Sequence, residues 1–596
     1  MDIQIIIVLA IMAMTIFLLV SELVRIDITA IITMLALYWS GVLTSTETLS
    51  GFSSNAVIAM IAVMILGEGL AKTGMMTRFS KWLLGRVGNS KERVLGTLSL
   101  SVGTISGVIQ NIGAAALFLP SAIDIARRLR ISASELIMPL GFMAIIGGSL
   151  TMVGSGHLIL TNDLLKAADL EEYGLFAVTG VGVALMVSAI IFFTLFGKYF
   201  LPQGTGGKLD LTEQEKVMEA FNLKKDILAF SIPQGSPLAG KTVEESGAWS
   251  DHSVNILAVR SGKDTSYAPW REAKLEAGSI VALYGDADRV AAFAQNWKLE
   301  AGNAESSFPG LDDPDDFGFV EIIVPPRSEL VGQSIRQFGM RKRFGVEPVM
   351  LFSEGKRVES DFSDREIKSG DTFIIFGSWR NIKKIESSDP FVLATVVEAE
   401  IKNSSKTWHA AGSFLLAIVL AMSGFSIAIS FFTGALVMVL LKVMSIQEAY
   451  RSVEWKVVFL LVGLIPLGIA MQNSGTAQFL AESVMGLIGN SSTLVLLFTV
   501  AILATGFSLV MSNVGAVVVL APLVVGIGLI AGVDPRPLVL LAAINAGNSF
   551  VLPTHQVNAL MMSAGGYKTS DYFRAGGGMT IVFLLVSVLF FYYFFF

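Results

Sequence analysis

A serine and an asparagine recur 402 positions apart in apolar surroundings, and both side chains could hold an ion. Ser106 and Asn111 become Ser508 and Asn513, and residues 111–120 (N-I-G-A-A-A-L-F-L-P) match residues 513–522 (N-V-G-A-V-V-V-L-A-P). Carbonyl and hydroxyl oxygens suit a hard cation such as Na⁺, whereas the amide N–H groups of asparagine suit an anion. The repeated segments are therefore candidate binding elements.

The elements that carry these residues are predicted to be broken membrane helices. Non-helical backbone at membrane depth is tolerated only where it is packed in protein or lines a cavity. Half-helix N-termini offer N–H groups to an anion, and half-helix C-termini offer carbonyls to a cation. Helix packing alone also uses small and polar residues, but the matched interruption in both halves favours a binding site.

Two cation sites that flank one anion site are predicted from these breaks. Segments 154–157 and 554–558 form a second broken element in each half and complete the clusters. The candidate Na⁺ ligands are Ser106, Gln110, Asn111, Gly154, Ser508, Ser512, Asn513 and Thr554. The candidate substrate-binding residues are Asn111, Gly113, Ser155, His157, Asn513, Gly515, Thr554 and Asn558.

The composition indicates a membrane protein with a soluble part. The chain has 596 residues, of which 53% are hydrophobic and 15% are charged, whereas soluble domains carry about 25% charged residues. Cysteine is absent, which excludes disulfides and thiolate chemistry. The net charge of -6 gives no support for binding to nucleic acid.

The fold class predicted from the pattern is an all-α polytopic membrane protein with two inverted repeats and a soluble α+β insert. Repeat 1 covers residues 1–200 with a re-entrant hairpin at about 94–128, and repeat 2 covers residues 407–596 with a hairpin at about 494–531. Each repeat also contains a broken helix, and residues 76–87 form an amphipathic interfacial segment. The distribution of Lys and Arg places the insert in the cytoplasm and the chain in the cell (inner or plasma) membrane.

The insert is itself duplicated, with a shift of 92 residues. The string G-S-P-L-A-G-K-T-V returns as R-S-E-L-V-G-Q-S-I, and G-S-I-V-A-L-Y-G returns as G-D-T-F-I-I-F-G. Short apolar runs within it are typical of strands. Two small α+β modules are expected, the first with a linker over residues 201–310 and the second over residues 311–406.

Over nearly its whole length the chain resembles the divalent anion/sodium symporter family of the ion-transporter superfamily. The resemblance rests on S-G-V-I-Q-N-I-G-A-A-A-L-F-L-P, G-G-S-L-T-M-V-G-S-G-H-L-I, M-S-N-V-G-A-V-V-V-L-A-P and F-V-L-P-T-H-Q-V-N-A-L-M-M-S-A-G-G-Y. It implies a homodimer with a scaffold domain and a mobile transport domain that moves as an elevator. The insert resembles two TrkA-C (RCK C-terminal) domains, which implies a small-molecule ligand or a role in assembly.

The tips of the two predicted hairpins, at residues 110–112 and 512–514, depart from the Ser-Asn-Thr motifs that the family has there. They read Gln110-Asn111-Ile112 and Ser512-Asn513-Val514, so both threonine hydroxyls are replaced by apolar groups. A C4 dicarboxylate held at both ends by those hydroxyls is therefore not favoured. His157 stands at or near a position where the family often has Asn, and His555 stands in the matching part of the second half; each could tune substrate choice, couple protons or simply line the site.

The leading functional prediction is a sodium-coupled secondary transporter of a small anion, sulfate-like or a short carboxylate, within a lipid bilayer. A proton-coupled anion exchanger or efflux permease is the alternative, and a ligand-gated channel ranks lower because the chain has no T-V-G-Y-G pore loop. An enzyme is not predicted, since the sequence has no P-loop, H-E-x-x-H or nucleophile elbow.

Overall fold

The computed structural model divides the chain into two compact units. The first joins Met1–Leu209 to Lys402–Phe596 and is called the membrane unit; the second, Asp210–Ile401, is called the insert. The structure describes residues 2–21, 23–75, 90–129, 131–202, 213–221, 223, 227–262, 264–302, 307–308, 310–311, 316–358, 361–386, 390–394, 404–489, 492–553 and 555–596. The amphipathic segment predicted at residues 76–87 lies outside these ranges.

The first half of the membrane unit is helical. Its helices are α1 (Ile3–Ser21), α2 (Ile26–Trp39), α3 (Ser45–Leu49), α4 (Asn55–Lys72), α5 (Lys91–Ser106), α6 (Asn111–Leu129), α7 (Ser134–Gly147), α8 (Gly156–Ala167) and α9 (Thr179–Phe200). A short 3₁₀ turn, Ser50–Ser53, joins α3 to α4. Two breaks therefore divide longer apolar stretches, one before α6 and one before α8.

The second half follows the same order after the insert. Its helices are α15 (Thr407–Met422), α16 (Ile427–Leu440), α17 (Ile446–Ser452), α18 (Trp455–Asn473), α19 (Thr476–Ile488), α20 (Thr493–Val510), α21 (Asn513–Ala531), α22 (Pro535–Ala546), α23 (Gln556–Gly565) and α24 (Thr569–Phe594). Breaks again precede two helices: α21, which begins with the repeated asparagine, and α23.

Seven segments in the described part of the chain are helical, long and apolar enough to cross a membrane. A spanning helix needs about 20 residues, and the 28-residue segment Ser45–Lys72 and the 26-residue helix α24 exceed that length. Six shorter apolar helices include α2, α7 and α16. The protein is thus a multi-pass membrane protein, as the composition predicts.

The two halves pack on each other through equivalent helices. Helix α2 packs on α18, and α16 packs on α4 in the reciprocal contact. Glycines allow this approach: a Cβ on Gly463 of α18 would stand 2.5 Å from the carbonyl oxygen of Ala30, and one on Gly69 of α4 would overlap the side chain of Met438. The same reciprocity holds near the breaks, where α6 contacts α23 and α21 contacts α8.

Two polar clamps join the halves at equivalent positions. Glu47 and Glu448 each complete a capping box, at the start of α3 and α17. Glu47 accepts a hydrogen bond from Asn473, the last residue of α18, over 2.9 Å. Glu448 pairs with Lys72, the last residue of α4. The clamps are separated by 401 positions along the chain, close to the shift of the tips.

The insert contains two antiparallel five-stranded sheets. The first has the order β3-β2-β4-β1-β5 and the second β10-β6-β9-β7-β8. The strands are β1 (Leu228–Ser231), β2 (Asn255–Ser261), β3 (Asp264–Tyr267), β4 (Ile280–Tyr284), β5 (Glu300–Ala301), β6 (Phe317–Ile323), β7 (Glu347–Ser353), β8 (Lys356–Arg357), β9 (Thr372–Ser378) and β10 (Val392–Leu393). The helices are α10 (Glu213–Ala220), α11 (Ala287–Asn296), α12 (Ile335–Phe338), α13 (Met340–Phe344) and α14 (Trp379–Glu386).

The two sheets repeat each other in detail at the shift of 92 residues seen in the sequence. Strand β2 maps onto β7 and β4 maps onto β9, so the two strand orders are equivalent. An irregularity between Ile256 and Ala258 returns between Pro348 and Met350. The isolated bridge of Thr242 with Lys274 returns as that of Ser334 with Glu366. The insert is thus built from two copies of one backbone plan.

Candidate functional site

The first break, residues 107–110 between α5 and α6, brings three oxygen atoms together. Ser106 Oγ lies 2.6 Å from the carbonyl oxygen of Ala144 and 2.9 Å from Oδ1 of Asn111. Asn111 also donates through Nδ2 to Ser155 Oγ over 3.5 Å. The single hydroxyl hydrogen of Ser106 serves only one of the two acceptors, which leaves lone pairs available to a cation.

The second break, residues 511–512, has the same arrangement. Ser508 Oγ lies 2.6 Å from the carbonyl oxygen of Ala546 and 3.1 Å from Oδ1 of Asn513. Ala546 follows Ala144 by 402 positions, as the serine and asparagine do. Ser549 adds a hydroxyl 2.9 Å from the same Oδ1. The structure therefore brings each predicted serine–asparagine pair into hydrogen-bond contact.

Some members of these clusters were missed by the sequence reasoning. The carbonyls of Ala144 and Ala546 carry no sequence signal, because every residue has one. Ser549 had a signal in the sequence: it is a small polar residue directly after Gly547-Asn548, close to the second broken element at 554–558. A serine beside a helix break opposite an asparagine tip could have been added to the predicted ligands.

Glycine is required at Gly148 rather than at the predicted Gly113. A Cβ on Gly148 would stand 2.6 Å from Asn111 Oδ1 and would overlap Ser155 Oγ. A Cβ on Gly154 would stand 2.6 Å from the carbonyl oxygen of Gly148. Gly113 has no described atom within 4 Å of that position, and Gly515 meets only ordinary contacts from 3.4 Å. The close packing around Asn111 and Ser155 thus depends on the glycines between α7 and α8, which have no room for a side chain.

The two histidines stand at the starts of the helices that follow the second broken elements, α8 and α23. His157, in the first turn of α8, is 6% exposed, and its Nε2 has no hydrogen-bond partner among the described residues. That atom would be 3.3 Å from a Cβ on Gly547, which shows why a small residue stands there. His555 caps α23 and accepts the Val557 N–H through Nδ1 over 3.2 Å, so its ring N–H is on Nε2. His157 belongs to one half and contacts the break of the other.

The remaining predicted residues have local roles. Ser512 caps α21 by accepting the Gly515 N–H over 3.2 Å. Asn558 is fully buried and donates through Nδ2 to the carbonyl oxygen of Ser549 over 2.7 Å, across the second broken element. The side chain of Gln110 lies beside the carboxyl group of Glu454, the residue before α18. Thr554 lies outside the described residues.

The chemistry of the breaks is that of uncharged polar groups. In the described part of the chain, no group of three or more His, Asp or Glu side chains could hold a metal ion. The clusters offer hydroxyl, amide and carbonyl oxygens, which suit a monovalent cation without a compensating carboxylate. Four half-helices, α6, α8, α21 and α23, begin at the breaks and direct partial positive charge at their N-termini towards them.

The insert contains a separate cavity of about 140 Å³ between its two modules. Much of the lining consists of equivalent residues: Val243 and Ile335, Glu244 and Arg336, Ala248 and Met340, Trp249 and Arg341, Ile256 and Pro348, Trp270 and Phe362, and Arg271 and Ser363. Arg336 pairs with its own equivalent, Glu244, and also with Asp364 at 2.6 Å. Trp249 Nε1 has no partner among the described residues.

Comparison with known proteins gives the family. The model of the family described as "Citrate transporter" (CitMHS) matches residues 16–544. The "Uncharacterized transporter YfbS" of Escherichia coli (strain K12) is 27% identical over 96% of this chain and 95% of its own length. The "Probable sodium/sulfate cotransporter 3" of Chlamydomonas reinhardtii is 21% identical over 65% of this chain and 46% of its own.

Among solved structures, the GsuK RCK domain aligns with 26% of this chain and 61% of its own, at 13% identity and a TM-score of 0.14. So slight a likeness carries no conclusion about the insert. The family match covers both halves of the membrane unit and confirms a transporter, not an enzyme. The chain belongs to the citrate transporter family, in agreement with its predicted place among the divalent anion/sodium symporters.

Proposed function

We propose that this protein couples the inward movement of Na⁺ to the transport of a small anion. The observation that carries the proposal is the pair of oxygen clusters, Ser106–Asn111–Ala144 and Ser508–Asn513–Ala546. Each has more oxygen lone pairs than hydrogens to occupy them, which is the composition a Na⁺ site needs. Two relatives besides the one already described are named sodium/sulfate cotransporters.

The anion is proposed to lie between the two clusters. Ser155 contacts Asn111, His157 lies beside Gly547, and Ser549 contacts Asn513. The short segments 155–157 and 547–549 therefore connect one tip to the other. The Nε2–H of His555 and the Nε2 edge of His157 supply groups for an anion where Ile112 and Val514 cannot. A sulfate-like oxyanion or a short carboxylate fits such a set better than a long dicarboxylate held at both ends.

The proposed mechanism is an elevator built on inverted repeats with re-entrant hairpins α5–α6 and α20–α21. The reciprocal packing of α2 on α18 and of α16 on α4 supports a static scaffold. The breaks all belong to the other helices, which would move as one transport domain. Contacts such as Gln110 with Glu454, and Asp163 with Ser54 and the Ala56 N–H, would then have to break during the movement.

Uptake by the purified protein in liposomes tests this function. Radiolabelled sulfate, succinate and citrate are offered separately, with a Na⁺ gradient, a H⁺ gradient or neither. We expect an inward Na⁺ gradient to accelerate the uptake of at least one anion. Uptake that responds to the H⁺ gradient alone would contradict sodium coupling and favour the proton-coupled alternative, in which the buried His157 and the half-buried His555 would carry the proton.

We propose that the insert regulates or assembles the transporter from the cytoplasmic side of the cell membrane. The cavity between its modules supports a small-molecule ligand, since its volume is close to the ~150 Å³ of an engineered cavity that binds benzene. Deletion of residues 207–405 should change the uptake rate or the proposed homodimer. The same uptake and the same number of chains per particle by light scattering after the deletion would remove this part of the proposal.

A further inference from the structure

Besides the two oxygen clusters at the breaks, five neutral polar side chains form a further buried cluster in the membrane unit, next to the Ser508–Asn513 tip. They are Thr505 on α20, Asn545 on α22, Asn548 just after α22, and Thr580 and Ser587 on α24, and each is at most 9% exposed. Neither the sequence motifs nor the family's name assigns them a role. Asn548 precedes Ser549, which contacts Asn513, so the cluster adjoins the tip.

Hydrogen bonds tie the cluster together across three helices. Asn548 Nδ2 lies 3.3 Å from Thr505 Oγ1 and 3.4 Å from the carbonyl oxygen of Thr580. Thr505 Oγ1 donates to the carbonyl oxygen of Asn545 over 3.4 Å, and Ser587 donates to Asn545 Oδ1 over 3.1 Å. Most of these bonds are long, which leaves room for adjustment.

Two oxygen atoms of the cluster remain without a partner among the described residues. They are Asn548 Oδ1 and Thr580 Oγ1, and their residues are 0% and 9% exposed. An unsatisfied buried polar group costs about 1–3 kcal/mol. A network that served only to hold the helices together would have its acceptors satisfied, so these oxygens point to an electropositive ligand.

At three of the equivalent positions that the structure describes, the first half of the membrane unit has glycine or an apolar side chain. The residues 402 positions before Thr505, Asn545 and Asn548 are Gly103, Met143 and Ile146. Met143 and Ile146 are fully buried and apolar. A Cβ on Gly147 would stand 2.6 Å from the Cα of Gly103, so α5 and α7 touch backbone to backbone there. The polar cluster is thus an addition to one half and not a product of the shared fold.

We infer that this cluster binds a third monovalent cation, behind the second tip. The inference rests on the proposed sodium coupling and deepens it. The available ligands are Asn548 Oδ1, Thr580 Oγ1, Thr505 Oγ1 and the carbonyl oxygen of Thr580, all of them uncharged. Neutral oxygens compensate the charge of a monovalent ion far more readily than that of Ca²⁺ or Mg²⁺, whose sites use carboxylates.

The test counts the ions that bind to the full-length chain in nanodiscs, with radioactive sodium and no transported anion. The variants are Asn548→Ile, which installs the residue of the first half, and Thr580→Val, which removes one hydroxyl at nearly constant volume. Thr499→Val is the matched control, because Thr499 is half-buried on the same helix, α20, and its hydroxyl donates to the carbonyl oxygen of Val495 rather than to the cluster. We expect each cluster variant to bind one Na⁺ fewer per chain, and the control to bind as many as the wild type.

The outcomes separate this inference from the proposed function. If the wild type binds Na⁺ and both folded variants bind the same number, the cluster is a hydrogen-bond network and the third site does not exist. If the wild type binds no Na⁺, sodium coupling itself fails. Should Asn548→Ile unfold, Thr580→Val decides the matter, since it leaves every hydrogen bond of Asn548 in place.

Discussion

The two internal duplications of this chain repeat different things. In the membrane unit the side-chain chemistry recurs: Asn111 and Asn513 each accept a serine hydroxyl that also reaches an alanine carbonyl. In the insert the backbone plan recurs, with the same strand order and the same bridge, whereas the residues at the cavity differ in charge and size.

The difference follows from what each duplication has to do. The two cation sites that we propose would need the same oxygens, which accounts for the presence of the serine–asparagine pair in both halves. In the insert, Glu244 and Arg336 are equivalent residues that face each other. Two identical charged residues there would repel, and opposite charges attract. Divergence at such contacts turns a self-pairing surface into a complementary one and makes the cavity asymmetric.

The largest expected effect is on the repeated asparagines. Asn111→Ala and Asn513→Ala each remove the oxygen at the centre of one cluster, and we expect the uptake rate to fall at least about 100-fold, corresponding to about 2.7 kcal/mol. Uptake in liposomes measures it, with size-exclusion profiles as the check on folding. Asn473→Ala, which loses only the bond to Glu47, is the control. Near-normal uptake in both tip variants would show that the clusters serve helix packing and do not bind the coupling ion.

A second prediction separates the tip glycine from the glycine of the broken helix. Gly148→Ala forces a Cβ into Asn111 and Ser155, so we expect a loss of about tenfold in uptake, or about 1.4 kcal/mol. Gly113→Ala meets no described atom within 4 Å and should keep the Na⁺ dependence of the wild type. Equal losses in the two variants would show that Gly148 does not position Asn111.

The third prediction concerns the facing charges of the insert. Glu244→Arg places two arginines together, and we expect a loss of about 0.5 kcal/mol in the stability of the insert, since both side chains are partly exposed. The double variant Glu244→Arg/Arg336→Glu should recover part of that loss but not all of it, because Asp364 lies beside position 336 and Arg271 beside position 244. Thermal unfolding of the full-length protein, followed by tryptophan fluorescence, measures both. Glu329→Arg/Arg343→Glu is a control pair of greater exposure; a double variant no better than the single one would refute the pairing.

The smallest expected effect is a pH dependence that arises from one carboxyl group of the second module. Burial raises the pKa of Glu347, although Arg341 opposes the shift, and Asn255 stands at the equivalent position of the other module. Because the folded-state pKa exceeds the unfolded value, the wild type loses stability as pH rises from about 4.5. Glu347→Gln should remove that loss, which raises the unfolding temperature at pH 7 relative to pH 4 by about 2 °C or less. An identical pH profile in both proteins would contradict it.

The sequence predicted the side chains of the clusters but not their backbone partners. The shift of 402 identified Ser106, Asn111 and their equivalents, because residue type and spacing are visible in one dimension. The carbonyls of Ala144 and Ala546 became visible only when α7 and α22 were placed beside the tips. The need for Gly148 likewise depends on a contact between helices. In the insert, by contrast, strands that are related by the 92-residue shift take equivalent places in the two sheets. Turns and alternating strands are local signals, so the sequence repeat already indicates this likeness.

The discontinuity of the membrane unit has a consequence for biosynthesis. Helices α2, α4 and α9 pack on α18, α16 and α24, and all three partners follow the insert Asp210–Ile401 in the chain. At about 5–20 residues per second, translation of those roughly 190 intervening residues takes on the order of 10–40 seconds. During that interval helices α1–α9 lack these partners, and the breaks before α6 and α8 lack the contacts that α23 and α21 supply in the folded unit. The rate at which the insert is made therefore sets how long a half-built transporter must survive.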